Sequence, residues 1–479
     1  MNVLAGLGPQ DPNSRFDHSQ DSISSYDHPY FGQLFLAGIF KLVGNPLSHQ
    51  TFNGISSIES LFTIPRVVVG ALAVLDTLLV FLICTRRYNV TTAFASSILF
   101  AVMPLTWYTR RIVLDSIFLP FVLLSILFSI EAGRTNKNKL ILCLLSGISL
   151  GLAIFTKIPA FTMIPVVLLI IINKKGGYFS HRKNLKLVAI WLIPVILIPL
   201  IWPLSALISG QFPEWISGVF WQGTQRHREG KSLIDILNVF WISDPVLLLL
   251  GTAGVAFCCF RRDFVPVIWI GPYLSLLFLI GWVTHFHLIL ILPAFCIAAG
   301  KMIDELPRRI NSRFGNIISI SSITALSVFG LIFTSMLIST TVSSAQLEGI
   351  AFVANQTTSH KFGGIQGSDD ITIISSPIYS WIFKYIFENK NVFSHIRDTR
   401  PITTSKILLV VDSTYKHVIS KSEGENETQV QRLANIFDET SVRALFKDTS
   451  QDYDKSLYPY TGIQSAAIGS RTEQIRTNY

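Results

Sequence analysis

Residues 64–87 read IPRVVVGALAVLDTLLVFLICTRR. From Ile64 to Cys84 the run is apolar, interrupted mainly by Arg66 and by a single acid, Asp76, and it stops at Arg86 and Arg87. A helix needs about 20 such residues to cross the hydrocarbon of a bilayer. Nine further runs follow, at 91–108, 114–130, 140–157, 159–173, 187–208, 245–260, 264–282, 286–302 and 316–340. The spacing therefore predicts about ten transmembrane helices, with both ends of the chain on one side. Composition agrees. Apolar residues make up 50% of the chain and charged ones 14%, with a mean hydropathy of +0.47. A soluble domain carries about 25% charged residues.

The basic residues set the orientation. Arg86 and Arg87 follow the first run, and Arg134, Lys137 and Lys139 follow the third. The later odd-numbered runs are followed by clusters at 174–186, Arg261 and Arg262, and Lys301 to Arg313. The alternate loops hold far fewer: Arg110, Arg111, Lys157, Arg226, Arg228 and Lys231. The first set is read as cytoplasmic, in a multi-pass protein of the cell membrane. The segment 1–63, the loop 209–244 and the tail 342–479 then face outward, and 64–341 forms the membrane core. The net charge of +9 is thus an orientation signal rather than a footprint for nucleic acid. Cys84, Cys143, Cys258, Cys259 and Cys296 all fall in apolar runs and read as small core residues.

Charges on the sparsely charged side stand out. Asp27 and His28 precede the first run, Arg110, Arg111 and Asp115 lie between the second and third, and Lys157 ends the fourth. Asp76 is the one ionisable group at mid-membrane depth, and the sequence shows no basic partner for it. Such a group reads either as a packed carboxyl or as an ion site. The second reading would make the chain a transporter or lipid flippase, although no internal repeat supports it.

Five motifs occur in order: YDHPYFGQLFLAGIFKLVG (26–44), IPRVVVGALAVLDTLLVFLI (64–83), RRIVLDSIFLPF (110–121), GISLGLAIFTKIPAF (147–161) and HFHLILILPAFCIAAG (285–300). Together they resemble the dolichyl-phosphate-mannose protein mannosyltransferases, and the chain is identified as a member of the GT-C glycosyltransferase superfamily. Relatives carry a second Pro after His-Pro, where this chain has Tyr30, and a Lys where it has Gln33. They also open with a span ending in an outer Asp-Glu pair; the sequence shows no such span before Asp27, so either the start lies further upstream or the first helix and one carboxylate are missing.

The resemblance implies a GT-C-like helical membrane protein, to which the strand and helix pattern of the tail adds a small outer α/β domain. It also implies transfer of mannose or another hexose from a polyprenyl or dolichyl phosphate, with inversion, to a protein, lipid or glycan acceptor. That reaction needs a base for the acceptor proton and positive charge for the leaving phosphate. Asp27, His28 and Asp115 are the catalytic candidates; Arg110, Arg111 and Lys157 are the phosphate candidates. Each has a plainer reading. Asp27 would cap the interfacial helix expected over 30–44, and Asp115 would complement a helix dipole. The arginines would snorkel to headgroups. A divalent cation is left open, because lipid-linked oligosaccharide transferases of the superfamily use one. No metal set is assigned, since His285 and His287 make a poor site alone. Trp215, Phe220, Trp221, Phe240 and Trp241 suit an interface belt or a sugar platform. A binding-only relative that has lost its first acid is a further reading.

The tail is polar and cysteine-free. Strands are expected at 371–375, 406–411 and 441–446, helices at 377–388 and 428–437, and a frayed end from about Gln464. Asn355 and Asn426 head glycosylation triplets.

Overall fold

The computed structural model of the chain describes residues 3, 26, 28–43, 55–135, 137–172, 181–224, 233–280, 285–311, 313–339 and 344–362. In the tail it describes 371–387, 389, 391–394, 402, 404–412, 415, 416, 419, 427–447 and 472–479. Asp27, Arg226, Arg228 and Asn426 lie outside the described residues.

Every expected span contains helix. Among the described residues five helices are long and apolar enough to cross a membrane: α2 (Ile55–Arg87, apolar from Phe62), α5 (Leu114–Arg134), α6 (Lys139–Thr156), α8 (His181–Ile208) and α14 (Gly315–Ser339). Helices close all their backbone hydrogen bonds internally, which is what apolar surroundings require. The other runs form shorter pieces. The second breaks at Met103 into α3 (Val90–Val102) and α4 (Pro104–Tyr108), with Pro104 opening the second piece. The fifth becomes a 3-10 turn (Ile158–Met163) followed by α7 (Ile164–Ile172), and the ninth a 3-10 turn (His285–Leu290) followed by α13 (Leu292–Ile310). Between them lie α11 (Pro245–Phe260) and α12 (Val265–Ile280). Outside the expected spans are α1 (Phe31–Leu42), α9 (Phe212–Thr224) and α10 (Leu233–Ser243).

Small residues let the helices approach. A Cβ on Gly147 of α6 would stand 2.2 Å from the Trp191 carbonyl oxygen of α8, and one on Gly254 of α11 would stand 2.5 Å from the Ala298 backbone of α13. Ser125 and Ser146 are hydrogen-bonded at 3.0 Å between α5 and α6.

One end of the bundle is tied by charge. Arg87 Nη2 donates to Asp263 Oδ1 at 2.8 Å, while Tyr88 Oη and Lys301 Nζ each donate to Asp263 Oδ2 at 2.7 Å. Beside them Asp304 Oδ2 accepts from Asn89 at 2.7 Å and Thr92 at 3.0 Å, and Arg308 pairs with Asp304 at 2.6 Å. Arg262, with a left-handed φ of 58°, turns the chain so that Asp263 enters this knot. Burial alone would raise the Asp263 carboxyl; the Arg87 charge and hydrogen bonds from Lys301, Arg87 and Tyr88 hold it down at about 2.

Among the described residues the tail forms a five-stranded sheet in the order β2-β1-β3-β5-β4. The strands are β1 (Ile371–Ser375), β2 (Val392–Ser394), β3 (Lys406–Val411), β4 (Ser441–Lys447) and β5 (Thr472–Thr477). β1 runs parallel to β2 and β3, whereas β5 is antiparallel to both β3 and β4. The frayed end expected from Gln464 is thus corrected at 472–477, which form an interior strand; only Ile475 there carries a large aliphatic side chain into the core. The expected helix over 377–388 is α16 (Pro377–Trp381) continued by a π turn over Ile382–Ile386. One sheet face packs on α15 (Ser344–Phe362) and reaches Phe62 of α2, whose ring lies 6.4 Å from that of Trp381. The other face is covered by α17 (Glu427–Glu439).

Candidate active site at the rim of the bundle

The end of the bundle opposite the charge knot is where α5 starts and α6 stops. Val113 enters α5 in extended conformation, which places Asp115 in the first turn, where the helix dipole favours a carboxylate. α6 ends at Thr156, and Lys157 is extended (φ −153°, ψ 121°) before the 3-10 turn that contains Pro159. This break aims Lys157 at the neighbouring helix. Its Nζ donates to Asp115 Oδ2 at 2.5 Å. Both side chains are buried, 8% and 3% exposed, and Oδ1 of Asp115 is enclosed without a hydrogen-bond partner.

The two arginines diverge. Arg110 turns inward, where Nη1 donates to Asp76 Oδ2 at 2.9 Å and the guanidinium lies 4.7 Å from the Phe100 ring centre. The sequence showed no basic partner for Asp76; Arg110 is that partner, brought from 34 residues away by the turn after α4. Arg111 stays at the rim, 4.4 Å from the Tyr108 ring centre, with Nε donating to the Tyr108 carbonyl at 3.3 Å.

The 285–290 turn completes the rim. Tyr273 Oη donates to the His287 carbonyl at 2.6 Å and Trp269 Nε1 to the Leu290 carbonyl at 2.8 Å, so α12 fixes this turn from one helix face. The His285 ring then meets Tyr108 at 4.3 Å between centres, and Phe286 lies 5.7 Å from Lys157 Nζ. Burial, and then the Arg111 charge, push the His285 imidazole down to about 4, which keeps it neutral. A continuous row results: Arg111, Tyr108, His285, Phe286, Lys157, Asp115.

α1 lies against the α5–α6 junction. Tyr30 and Phe31 pack on Phe155 at 5.0 and 6.0 Å, and a Cβ on Gly32 would stand 2.5 Å from Leu114. His28, half-buried, precedes this contact, which brings the start of α1 beside the residues leading into Lys157. Tyr26 donates to Gln211 at 2.8 Å and packs with Trp202, itself 5.6 Å from Trp215. Among the described residues no three His, Cys, Asp or Glu side chains gather as a metal ion would need. Of the expected site residues, Asp115, Lys157 and Arg111 share the rim, Arg110 faces Asp76, and Asp27 lies outside the described residues. Tyr108, Phe286 and Tyr273 were not anticipated. The aromatic between two histidines at 285–287 was the available signal, but only the fold brings it to Lys157.

The profile of the family "PMT: Dolichyl-phosphate-mannose-protein mannosyltransferase" matches residues 14–207. Solved structures extend the likeness over the rest of the chain. ArnT from Cupriavidus metallidurans, bound to undecaprenyl phosphate, is 11% identical with a TM-score of 0.53, over 95% of this chain and 88% of its own. The oligosaccharyltransferase AglB from Archaeoglobus fulgidus, with an inhibitory peptide and a dolichol-phosphate, is 11% identical with a TM-score of 0.50, over 82% of this chain.

The chain has a GT-C fold and resembles the protein mannosyltransferases. It spans 59% of the length of AglB and is an integral membrane protein. The apo form of the Archaeoglobus enzyme gives the same likeness, with 12% identity and a TM-score of 0.51, over 91% of this chain and 63% of its own. No curated protein matches by sequence.

Proposed function

We propose that this GT-C chain transfers a sugar from a polyprenyl phosphate, dolichyl or bacterial, to an acceptor at the outer membrane face, with inversion at C1. The supporting observation is the convergence of one carboxylate and two cations, Asp115, Lys157 and Arg111, on a single rim. A lipid-tethered donor and a water-borne acceptor can meet only at such a level. The acceptor oxygen attacks C1 as its proton passes to a carboxylate. The C1–O bond to phosphate breaks, and the polyprenyl phosphate leaves carrying the negative charge. Lys157 and Arg111 receive that charge, Arg through its paired donors.

In this reading Asp115 is the rim acid, His28 stands at the neighbouring start of α1 with Asp27 before it in the sequence, and Arg110 supports Arg111 from below. The sugar is mannose or another hexose, and the acceptor is a protein, lipid or glycan. Residues 1–63 then form an outer segment, 64–341 the transferase core and 342–479 an outer domain that presents the acceptor. The transporter reading needs a carboxylate able to exchange protons or ions, and the Arg110 pairing of Asp76 speaks against it.

The test uses the full chain in lipid nanodiscs with radiolabelled dolichyl-phosphate mannose and an acceptor extract. Transfer should be lost in Asp115→Asn and in Lys157→Gln, with the folded fraction unchanged. Full transfer in both variants would refute the assignment.

A further inference from the structure

We propose that Lys157 is shared between two anions: a lipid phosphate entering the rim draws the ammonium off Asp115, and the carboxylate so released takes the acceptor's proton. This rests on the donor reading above and adds an order to it, with donor binding switching on the base.

In the structure the carboxylate is engaged on one side only. Oδ2 holds Lys157 at 2.5 Å, while Oδ1 is buried without a donor. Buried polar atoms are nearly always satisfied, so an orphaned carboxylate oxygen beside a cation marks a place where a hydrogen-bond donor arrives during use. An acceptor hydroxyl is such a donor. An ammonium on Oδ2 draws charge from the whole carboxylate and weakens the hold of Oδ1 on a proton, so the carboxylate becomes an effective base once Lys157 leaves.

Lys157 is placed to do so. It occupies the joint between α6 and the following 3-10 turn, with extended backbone, so its side chain can swing without unwinding a helix. Phe286 offers a ring face 5.7 Å from Nζ, a surface along which a cation moves at little cost. Beyond it the row ends at Arg111. A phosphate settling between the two cations offers Lys157 charged oxygens in place of one carboxylate oxygen. Among the described residues Lys157 is the only cation paired with Asp115, so its departure leaves the carboxylate unpaired.

The exchange balances. The acceptor O–H proton goes to Asp115, the acceptor oxygen bonds to C1, and the C1–O bond breaks with its electron pair on the phosphate. Lys157 accompanies the phosphate and takes no part in the proton transfer. When the lipid phosphate leaves, the proton is lost to water and Lys157 returns to Asp115.

The order has an unusual signature, because the carboxylate competes with the donor for one lysine. Binding of tritiated dolichyl phosphate to the full chain in nanodiscs is the measurement. Asp115→Asn should bind it more tightly, by roughly tenfold, the scale of coupling between close charges, while losing transfer. Lys157→Gln should bind weakly, and adding Asp115→Asn to it should change nothing further. Equal or weaker binding in Asp115→Asn overturns the exchange. Should that variant misfold, the unaltered protein decides. An apolar carbodiimide should join Asp115 to Lys157 as an amide, seen by mass spectrometry as the loss of one water, and saturating dolichyl phosphate should suppress it. Coupling undiminished by the lipid also overturns the exchange. If the unaltered chain binds no polyprenyl phosphate at all, the donor reading fails and the exchange fails with it; the arms above sink the exchange alone.

Discussion

Arg110 reaches from the turn after α4 to Asp76 in the middle of α2, bonding at 2.9 Å between Nη1 and Oδ2, while its neighbour Arg111 stays on the Tyr108 ring. Two adjacent arginines therefore serve opposite ends of one short segment. The first anchors the turn to α2, and the second is left at the rim by that anchoring.

Breaking the anchor should be costly. Asp76→Asn leaves a guanidinium that is 11% exposed without its counter-charge, and a loss of about 3–5 kcal/mol in unfolding free energy is expected. The double variant Asp76→Leu/Arg110→Met removes both charges and should recover most of that loss. Thermal unfolding in detergent of the three proteins checks this. Equal stability of single and double variants would show that the pair is not coupled.

At the opposite end, Asp263 should shape the acid limb of stability. Its folded value lies near 2, below the ordinary carboxylate value of 3.8, so the unfolded chain binds protons first as pH falls. The contribution is whole above the ordinary value and is lost as pH falls through about 2. Asp263→Asn should lower stability at neutral pH by roughly 3 kcal/mol, because Arg87 and Lys301 lose their partner. It should also flatten the dependence below pH 4, which denaturant titrations at several pH values would reveal.

Packing at Gly254 is expected to tolerate no side chain. Gly254→Ala puts a methyl 2.5 Å from the Ala298 and Ala299 backbone and should cost about 1–3 kcal/mol. Gly70→Ala is the control, since nothing stands within 4 Å of its Cβ, and it should shift stability by less than about 0.5 kcal/mol. The same unfolding assay separates the two.

His285 should titrate near 4 rather than near 6.5, because burial and the Arg111 charge disfavour its cation. Imidazole-labelled protein, with His285→Gln to assign the signal, gives the midpoint by NMR. In Arg111→Gln the midpoint should rise. A midpoint above 6 in the unaltered chain would place His285 in water, away from Tyr108.

Much of this was legible in the sequence. The apolar runs foretold the helical membrane fold, because length and hydropathy act locally along the chain. RRIVLD and FTK marked the two halves of the rim, since charged residues at span ends are few. The pairing of Asp76 with Arg110 was hidden, because it depends on a turn that doubles back, and no spacing rule reports it. The row from Tyr108 to Phe286 was hidden for a similar reason, as its members lie far apart in the chain. β5 escaped notice because its alternation is polar on both sides of Ile475, and its partners β3 and β4 supply the order.

Among the described strands β5 sits between β3 and β4 yet comes last in the sequence. As the polypeptide leaves the ribosome, β3 therefore keeps one bare edge until residues 472–477 have been made, and β4 has no neighbour to join. Chaperone demand in the cell should fall on this interval, and a premature stop codon upstream of Thr472 should cause degradation rather than a merely shortened protein.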